Sequence, residues 1–219
     1  MITALVPIKR NSQRIPNKNF LEINSKPLFF WILDSLLNSE FVDEIVVNHD
    51  DDYTVQEVSK YFNSIKFCKR PDELFGDKVS MNKIIESSLD ECTNQTIIQV
   101  HTTSPLLKTN TIDKAIKFHL DKKRDIFSVN KLHERFYDKD LRPINHDINN
   151  LVQTQDLEPL YVENSALYIF TKESFKSNKN RINDKSDIYE ISFPENIDID
   201  NFEDFELARI LLEKNIWIS

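Results

Sequence analysis

The sequence predicts a single α/β domain, residues 1–219, built on a doubly wound, mainly parallel sheet with a small insertion. Short apolar runs typical of buried strands alternate with segments whose apolar residues recur at helical spacing. That alternation is typical of a parallel sheet with helices on both faces. The chain has 219 residues and 40% hydrophobic content, which is enough for one domain with a substantial core.

The predicted elements follow one another closely. Strands are predicted at 2–7, 43–50, 65–70, 96–103, 125–131, 166–171 and 189–200, and helices at 27–39, 54–64, 80–92, 110–123 and 201–215. Pro27 suits the first turn of its helix, where no backbone N–H is needed. Ser80 is placed to cap the helix that follows it.

Residues 132–163 break this rhythm, because they are polar and show no clear period. We interpret the segment as an insertion that serves as a lid or as a dimer arm. Its aromatic residues, Phe136, Tyr137 and Tyr161, suit a self-association surface or a wall of a binding site.

Composition excludes several classes of function. A formal net charge of -8 argues against a general nucleic-acid binder, which needs a basic face. The longest apolar runs fall short of the roughly 20 residues of a membrane span, and the N-terminus lacks a signal-peptide pattern. Cys68 and Cys92 lack metal spacing and suit reduced thiols in the cytoplasm. Gly76 is the single glycine, so neither GxGxxG nor GxxxxGK[ST] can occur.

Positive charge is nevertheless concentrated directly after the first predicted strand. This loop holds Lys9, Arg10, Asn11, Ser12, Arg14, Asn17, Lys18 and Asn19. Lysine and arginine neutralise phosphate oxygens, and asparagine tolerates the left-handed backbone that glycine often supplies in phosphate loops. We interpret the loop as the site of a nucleotide triphosphate. The alternative is a solvated surface loop, and position alone does not decide between them.

Other polar residues follow later strands, at the edge where open α/β sheets bind ligands. They are Asp50, Asp51, Asp52, Lys69, Arg70, His101, Thr102, Thr103, Ser104, Asp198 and Asp200. Cations and carboxylates that meet at one edge suit a polyphosphate with a divalent metal.

Asp198 and Asp200 are two positions apart, which places both carboxylates on one face of a strand. Two hard oxygen ligands completed by substrate phosphates are a common way to hold Mg²⁺. The alternative is that one of them caps the next helix. For Asp50–Asp52 we favour the capping interpretation. His101 either contacts substrate or is a buried structural histidine. The histidines lack zinc spacing, and no pattern indicates covalent catalysis.

Several of these segments, taken in order, resemble the acylneuraminate cytidylyltransferase family, the CMP-sialic acid synthetases. The matching segments are VPIKRNSQRIPNKN (6–19), KPLFFWILDSL (26–36), IVVNHD (45–50), RPDELFGDKVS (70–80), HTTSPL (101–106), NSALYIF (164–170) and IDIDNFEDFELA (197–208). Each motif is weak alone, but their common order is fairly specific. The resemblance implies a fold of nucleotide-diphospho-sugar transferase type and a homodimer.

The resemblance also implies an activity, the transfer of CMP from CTP to a sugar acid with release of pyrophosphate and Mg²⁺ as cofactor. By position it implies catalytic roles for Lys9 and Lys18. It further implies nucleotide binding by Lys9, Asn11, Ser12, Lys18, Asn19, Arg70, Asp77 and Ser80, metal binding by Asp198 and Asp200, and acceptor binding by His101, Thr103, Ser104, Tyr161, Glu163 and Asn164.

The chain departs from the family pattern mainly in the expected acceptor pocket. Lys9 replaces an arginine, His101 a glutamine, and Leu107 an arginine, while Glu163 stands where the family has arginine before Asn164. A carboxylate-bearing sugar needs a cation nearby. The insertion offers three candidates, Lys131, Arg135 and Arg142.

Other functions remain open from the sequence. A sugar-1-phosphate nucleotidyltransferase has a similar fold, and Asp198-Ile-Asp200 also fits the Asp-x-Asp motif of glycosyltransferases, although it lies late in the chain. A nucleotide-binding protein without transferase activity is the non-enzymatic alternative. The general base is not identified, and His101 is the candidate.

Overall fold

Strands and helices alternate along most of the chain in the computed structural model, which describes residues 1–76 and 78–214. The strands are β1 (Ile2–Ile8), β2 (Glu22–Ile23), β3 (Lys26–Pro27), β4 (Val42–His49), β5 (Lys66–Lys69), β6 (Thr96–Val100), β7 (Ile126–Leu132), β8 (Leu160–Thr171) and β9 (Asp187–Glu190). The helices are α1 (Leu28–Leu37), α2 (Asp52–Ser59), α3 (Met81–Ser88), α4 (Thr109–Lys122), α5 (Lys172–Asn178) and α6 (Phe202–Glu213).

The described residues form one seven-stranded sheet in the order β5-β4-β1-β6-β8-β7-β9, and β2 pairs with β3 separately. β1 lies parallel to β4 and β6, β4 parallel to β5, and β7 parallel to β9. β8 runs antiparallel between β6 and β7. The predicted mainly parallel sheet is therefore confirmed.

The central strand shows why the sheet is covered on both faces. All seven residues of β1 are buried, and neighbouring side chains point to opposite faces of a strand. Ala4 and Val6 join an apolar cluster with residues of α1, α2 and α4. Leu5 joins a second cluster with residues of α3 and α5. Helices therefore pack on both faces, as the prediction of a doubly wound sheet requires.

Among the predicted strands, two differ from the structure by the largest margins. The strand predicted at 189–200 ends at Glu190, in β9. Pro194, which lacks the N–H that a sheet ladder needs, lies in the following turn. The strand predicted at 166–171 begins earlier, at Leu160, because its first residues pair with β7. The last residue of the helix predicted at 201–215 lies outside the described residues.

The segment predicted as an insertion runs from the end of β7 into the first residues of β8. Between Leu132 and Leu160 the backbone is held by two isolated bridges, Tyr137 to Pro143 and Asp147 to Asn150. Its apolar side chains are largely exposed, namely Tyr137, Leu141, Ile144, Ile148, Leu151 and Val152. We call residues 133–159 the arm.

Among the described residues, none of the helices combines the length and the apolar character that crossing a membrane requires. Both cysteines, Cys68 and Cys92, are buried free thiols.

Candidate functional site

A cavity of about 610 Å³ lies at the edge of the sheet where β1, β4 and β6 end. This volume falls within the roughly 300–1,000 Å³ range of small-molecule sites. Nine of the predicted site residues line it, namely Lys9, Ser12, Lys18, Asn19, Arg70, His101, Thr103, Asp198 and Asp200. The structure thus brings together residues from both ends of the sequence.

The basic loop after β1 is held in a fixed shape by its own side chains. Asn17 adopts a left-handed backbone with φ of 55°, the role that the sequence predicts for asparagine here. Asn19 donates from Nδ2 to the carbonyl of Lys9 at 2.8 Å and accepts from the Thr102 hydroxyl at 2.5 Å. Ile15 packs in an apolar cluster with residues of α6. The loop is therefore anchored to the sheet edge and is not a free surface loop.

Lys18 is buried at the floor of this loop, with only 7% of its surface exposed. Its Nζ donates to the carbonyl of Ile199 at 2.5 Å. Burial lowers the pKa of Lys18, while the carboxylates of Asp198 and Asp200 oppose that shift. Burial of a cation costs hydration free energy, and an anionic ligand beside Lys18 would, like the two carboxylates, favour its charged form.

Arg70 is buried on another side of the cavity. Its Nε donates to Asn48 Oδ1 at 2.8 Å, and its Nη2 donates to the carbonyl of Ile8 at 3.4 Å. Burial lowers the pKa of Arg70, and the Asp50 carboxylate, 3.9 Å from Nη1, opposes that shift. These contacts fix the guanidinium where β1 and β4 end.

Asp198 and Asp200 both line the cavity, although they lie on an extended segment and not on a strand. Ile199 between them is buried, and its backbone N–H donates to the carbonyl of Thr103 at 2.9 Å. Asp198 and Asp200 therefore face the cavity and Ile199 faces the core, as in a strand, although this segment is not part of the sheet. Burial raises the pKa of Asp198 and the Asp200 carboxylate adds to the rise, whereas the Thr103 hydroxyl, Lys18 and Arg14 oppose it.

The alternative of helix capping does not apply to either aspartate. Asn201 is the N-cap of α6, and it forms a capping box with Asp204. At α2 the acidic cap is present as predicted, because Asp51 Oδ1 accepts from the backbone N–H of Tyr53 at 2.7 Å.

The two aspartates suit a metal that the substrate helps to hold. The described residues contain no cluster of three or more histidine, cysteine or acidic side chains that could hold a metal ion on its own. Asp200 pairs with Arg14 at 2.7 Å, but Arg14 is 64% exposed, and such a pair contributes little stability. Exchanging it for a cation and a phosphate would therefore cost little. The donor set is hard oxygen, as Mg²⁺ prefers.

His101 lines the cavity, and its ring is a poor proton acceptor. Its Nε2 lies 3.0 Å from Nε2 of Gln99. Burial, together with the positive charges of Arg181 and Lys18, lowers the pKa of His101 to about 3. A base this weak has little driving force for proton abstraction near neutral pH, so the surroundings of His101 do not favour it as the general base.

The remaining predicted site residues do not line this cavity. Asn11 and Ser80 are exposed, and Ser80 occupies the N-cap of α3 without a side-chain cap bond. Ser104 and Asn164 are buried; Asn164 bonds to Ser128 and Asn130. Tyr161 and Glu163 are exposed on β8. The predicted nucleotide ligand Asp77 lies outside the described residues.

Sequence reasoning did not assign some residues that the structure places at or near the cavity. Arg14 and Thr102 line it, and both were visible as polar residues after a strand. Ser165 also lines it, with a left-handed φ of 59° where β8 pairs irregularly with β7. Arg181 approaches from the connection between α5 and β9, where no motif in the sequence indicates a site residue.

The cations suggested from the insertion do not line the cavity. Arg135 donates to the carbonyl of Val152 within the arm, and Arg142 lies 3.9 Å from Asp140. Lys131 is an exposed residue of β7.

Solved structures share this fold. The chain superposes with a TM-score of 0.73 on the structure of a CMP:2-keto-3-deoxy-manno-octonic acid synthetase complexed with CTP, at 12% identity and covering 98% of this chain and 99% of that one. It superposes with a TM-score of 0.68 on 4-diphosphocytidyl-2C-methyl-D-erythritol synthase from Anaerococcus prevotii, at 15% identity over 97% and 96% of the two chains. The chain therefore shares the α/β fold of these two structures, and the predicted fold class is confirmed.

The sequence carries the identification further. Residues 3–217 match the family model described as Cytidylyltransferase, and the chain belongs to that family. Membership makes it a nucleotidyltransferase that uses CTP, and the corresponding sequence prediction is confirmed.

Curated relatives match the chain along almost its whole length. Pseudaminic acid cytidylyltransferase of Campylobacter jejuni strain 81-176 is 26% identical over 97% of this chain and 96% of the relative. CMP-N,N'-diacetyllegionaminic acid synthase of Legionella pneumophila is 26% identical over 98% and 97%. N-acylneuraminate cytidylyltransferase of Escherichia coli O18:K1:H7 is 26% identical over 97% of this chain but only 52% of the relative.

Proposed function

We propose that the protein transfers the cytidylyl group of CTP to a sialic-acid-like nonulosonic acid, giving a CMP-sugar and pyrophosphate. The observation that carries this proposal is the cavity at the sheet edge, which brings the buried cations Lys18 and Arg70 together with the carboxylates of Asp198 and Asp200. The relatives named above differ in the substrate that their names give, which is pseudaminic acid, N-acylneuraminate or N,N'-diacetyllegionaminic acid, but each name contains an acid or its anion.

Lys9 and Lys18 bind the triphosphate in this proposal. Both line the cavity, and Lys18 is held in place by its bond to the Ile199 carbonyl. Fixed cations of this kind stabilise the negative charge that builds on a leaving pyrophosphate. Ser12 and Asn19 add polar contacts in the same loop, and Arg70 supports the nucleotide from the end of β5.

Asp198 and Asp200 would hold Mg²⁺ together with phosphate oxygens. When bound, the ion neutralises phosphate charge and orients the phosphates for displacement. The chain's own contribution is to keep the two carboxylates together, through the buried Ile199 and its bond to Thr103. Arg14, once exchanged from Asp200, would be available to contact the phosphates.

The reaction is an in-line displacement at the α-phosphorus. A hydroxyl oxygen of the acceptor forms the new P–O bond and loses its proton, and the bond to the bridging oxygen breaks. Pyrophosphate leaves with that electron pair. His101 and Thr103 line the part of the cavity assigned to the acceptor, and Tyr161, Glu163 and Asn164 belong to the strand that borders it.

Pyrophosphate release tests this function. The assay combines the protein and Mg²⁺ with CTP, UTP, GTP or ATP, and with pseudaminic acid, N-acetylneuraminic acid, N,N'-diacetyllegionaminic acid or sugar 1-phosphates. Release with CTP and one of the sugar acids is the expected result. Release with a sugar 1-phosphate would instead make the protein a sugar-1-phosphate nucleotidyltransferase, and CTP binding without release would make it a binding protein.

The arm is the proposed dimer contact. Its exposed apolar residues include Leu141, Ile148 and Leu151, which are 79%, 57% and 63% exposed. Several exposed apolar residues in one segment are typical of protein contacts, and a second copy of the chain is the partner that the resemblance implies. Tyr161 and Val162 on β8 extend the same exposed surface in sequence.

Replacing Leu141, Ile148 and Leu151 together by glutamate is expected to convert a dimer into a monomer, because charges would be buried in an apolar contact. Light scattering after size exclusion measures the mass. The control is Leu120→Glu, an exposed apolar residue on α4 outside the arm. A dimer that persists in the triple variant would show that the arm is not the contact, and would leave it as a lid.

The cytoplasm is the proposed location. The two free thiols suit a reducing compartment, and CTP is supplied there. Fractionation of cells that express the protein checks this.

A further inference from the structure

Arg181 is a largely buried cation close to the acceptor end of the cavity, and the reaction described above does not use it. Its side chain is 14% exposed. The guanidinium stacks on the ring of Tyr168 at 3.6 Å, and Nη1 donates to Gln99 Oε1 at 2.5 Å. Burial lowers the pKa of Arg181, since a charged group loses its hydration there.

The charge of Arg181 is only partly neutralised by its neighbours. The nearest carboxylate of a described residue is that of Glu163, with Oε1 3.9 Å from Nη2. That oxygen also accepts the hydroxyl of Tyr168, and the Glu163 side chain is 43% exposed to solvent, which screens it. Arg181 therefore leaves a positive potential at this end of the cavity.

The contact with Arg181 fixes the orientation of the Gln99 amide. A guanidinium can only donate, so the Gln99 atom that faces it must be the carbonyl oxygen. The Gln99 NH₂ group then faces His101 and lies 3.0 Å from Nε2. Because that NH₂ can only donate, Nε2 of His101 must be the unprotonated nitrogen, and the ring proton lies on Nδ1.

Burial keeps the His101 ring neutral where it lines the cavity, and two nearby cations add to this effect. Arg181 approaches from the connection before β9 and Lys18 from the loop after β1, and both charges disfavour the imidazolium. Gln99, on the same strand end, is uncharged. The ring is therefore held as a neutral N–H donor at the wall of the cavity, beside two cations, which suits an anionic oxygen.

We propose that Arg181 is a positioning residue for the carboxylate of the acceptor. Arg181 orients the Gln99 amide, and Gln99 in turn holds His101 as the neutral Nδ1–H tautomer that donates to this carboxylate. This inference rests on the proposed function, because it assigns the acidic group of the same acceptor. It also accounts for Glu163 at a position where the family resemblance implies an arginine, since the structure supplies the cation from the α5–β9 connection.

The first test needs no substrate. In protein labelled with ¹⁵N at its five histidines, His101 is assigned by comparison with His101→Gln, and its ring nitrogens are measured in the wild type and in Arg181→Met. We expect an unprotonated Nε2 and a protonated Nδ1 in the wild type, and loss of this single tautomer in Arg181→Met. A protonated Nε2 in the wild type, or an unchanged tautomer in the variant, would overturn the proposal.

The second test separates the acceptor from the nucleotide. In Arg181→Met the KM for the acceptor identified by the panel is expected to rise about 10- to 100-fold, the size of a lost charge-assisted contact. The Kd for CTP, measured by calorimetry, is expected to stay unchanged. Arg181→Lys, which keeps the charge, is expected to recover part of the acceptor KM. Arg124→Met, an exposed arginine outside this cluster, is the control.

The outcomes distinguish this inference from the function itself. An acceptor KM that does not change in Arg181→Met, with pyrophosphate release intact, would overturn only the role of Arg181. No release with any sugar acid in the wild type would overturn the proposed function, whatever the tautomer of His101. A parallel weakening of CTP binding in Arg181→Met would indicate a general structural role and would also overturn the proposal.

Discussion

Replacing Asp198 and Asp200 together by asparagine is expected to abolish pyrophosphate release almost completely. Both carboxylates line the cavity beside Lys18, and neither caps α6. Losing the charge that holds Mg²⁺ removes several kcal/mol of transition-state stabilisation, so we expect a fall of about 10³-fold or more in kcat/KM. The change keeps the shape of both side chains. The fold should therefore remain intact, as circular dichroism and thermal melting will show.

The matched control is Asp90→Asn, which changes an exposed aspartate just after α3, outside the cavity. It should keep wild-type turnover. Isothermal titration with Mg²⁺ in the presence of CTP gives a second readout, because the double variant should lose the metal-dependent part of CTP binding. Wild-type turnover in the double variant would rule out the two aspartates as metal ligands.

Lys18→Met is expected to have the second largest effect, a loss of about 10²- to 10³-fold in kcat/KM, as is found when one fixed donor to developing charge is removed. Methionine keeps most of the buried volume and loses the charge and the bond to the Ile199 carbonyl. Affinity for CTP should fall too, because Lys18 would contact the phosphates before and during the reaction. Initial rates at varied CTP and direct binding of CTP measure the two effects.

Lys117→Met serves as the control for this change, because Lys117 is an exposed residue of α4 far along the chain from the basic loop. Lys18→Arg adds a second comparison. It keeps the charge but introduces a bulkier group at a site with 7% exposure, so partial activity is expected. If Lys18→Met keeps normal CTP affinity and turnover, the basic loop does not bind the triphosphate through this residue.

The sequence predicted the fold and much of the cavity because both depend on local patterns. Alternating apolar runs place strands, and parallel strands bring their carboxyl ends to one edge, which is why Lys18, Arg70, His101 and Asp198 could be grouped in advance. The left-handed Asn17 also follows from residue chemistry. The family resemblance added the roles of these residues, and those roles remain predictions.

The parts that could not be predicted depend on long-range pairing. β8 lies antiparallel between β6 and β7, which no periodicity in its own sequence reveals. That placement brings Tyr168 and Ser165 to the acceptor end. Arg181 lies in a polar connection, where a single arginine does not form a recognisable motif. Only the tertiary fold brings its guanidinium into hydrogen-bond contact with Gln99. For the same reason, Arg135 and Arg142 of the insertion were predicted as cations for the acceptor carboxylate but do not line the cavity.

The bond from Lys18 to the carbonyl of Ile199 joins residues 181 positions apart in the sequence. Closing so long a loop costs entropy that only the surrounding packed core offsets, so the two sides of the cavity meet only in the complete native state. A folding intermediate in which segment 191–200 is still detached would have the basic loop but no carboxylates beside it. Tight binding of nucleotide with metal therefore requires the completely folded protein. Because the ligands bind only this state, they will stabilise the whole protein against unfolding by mass action, and not only the region around the cavity.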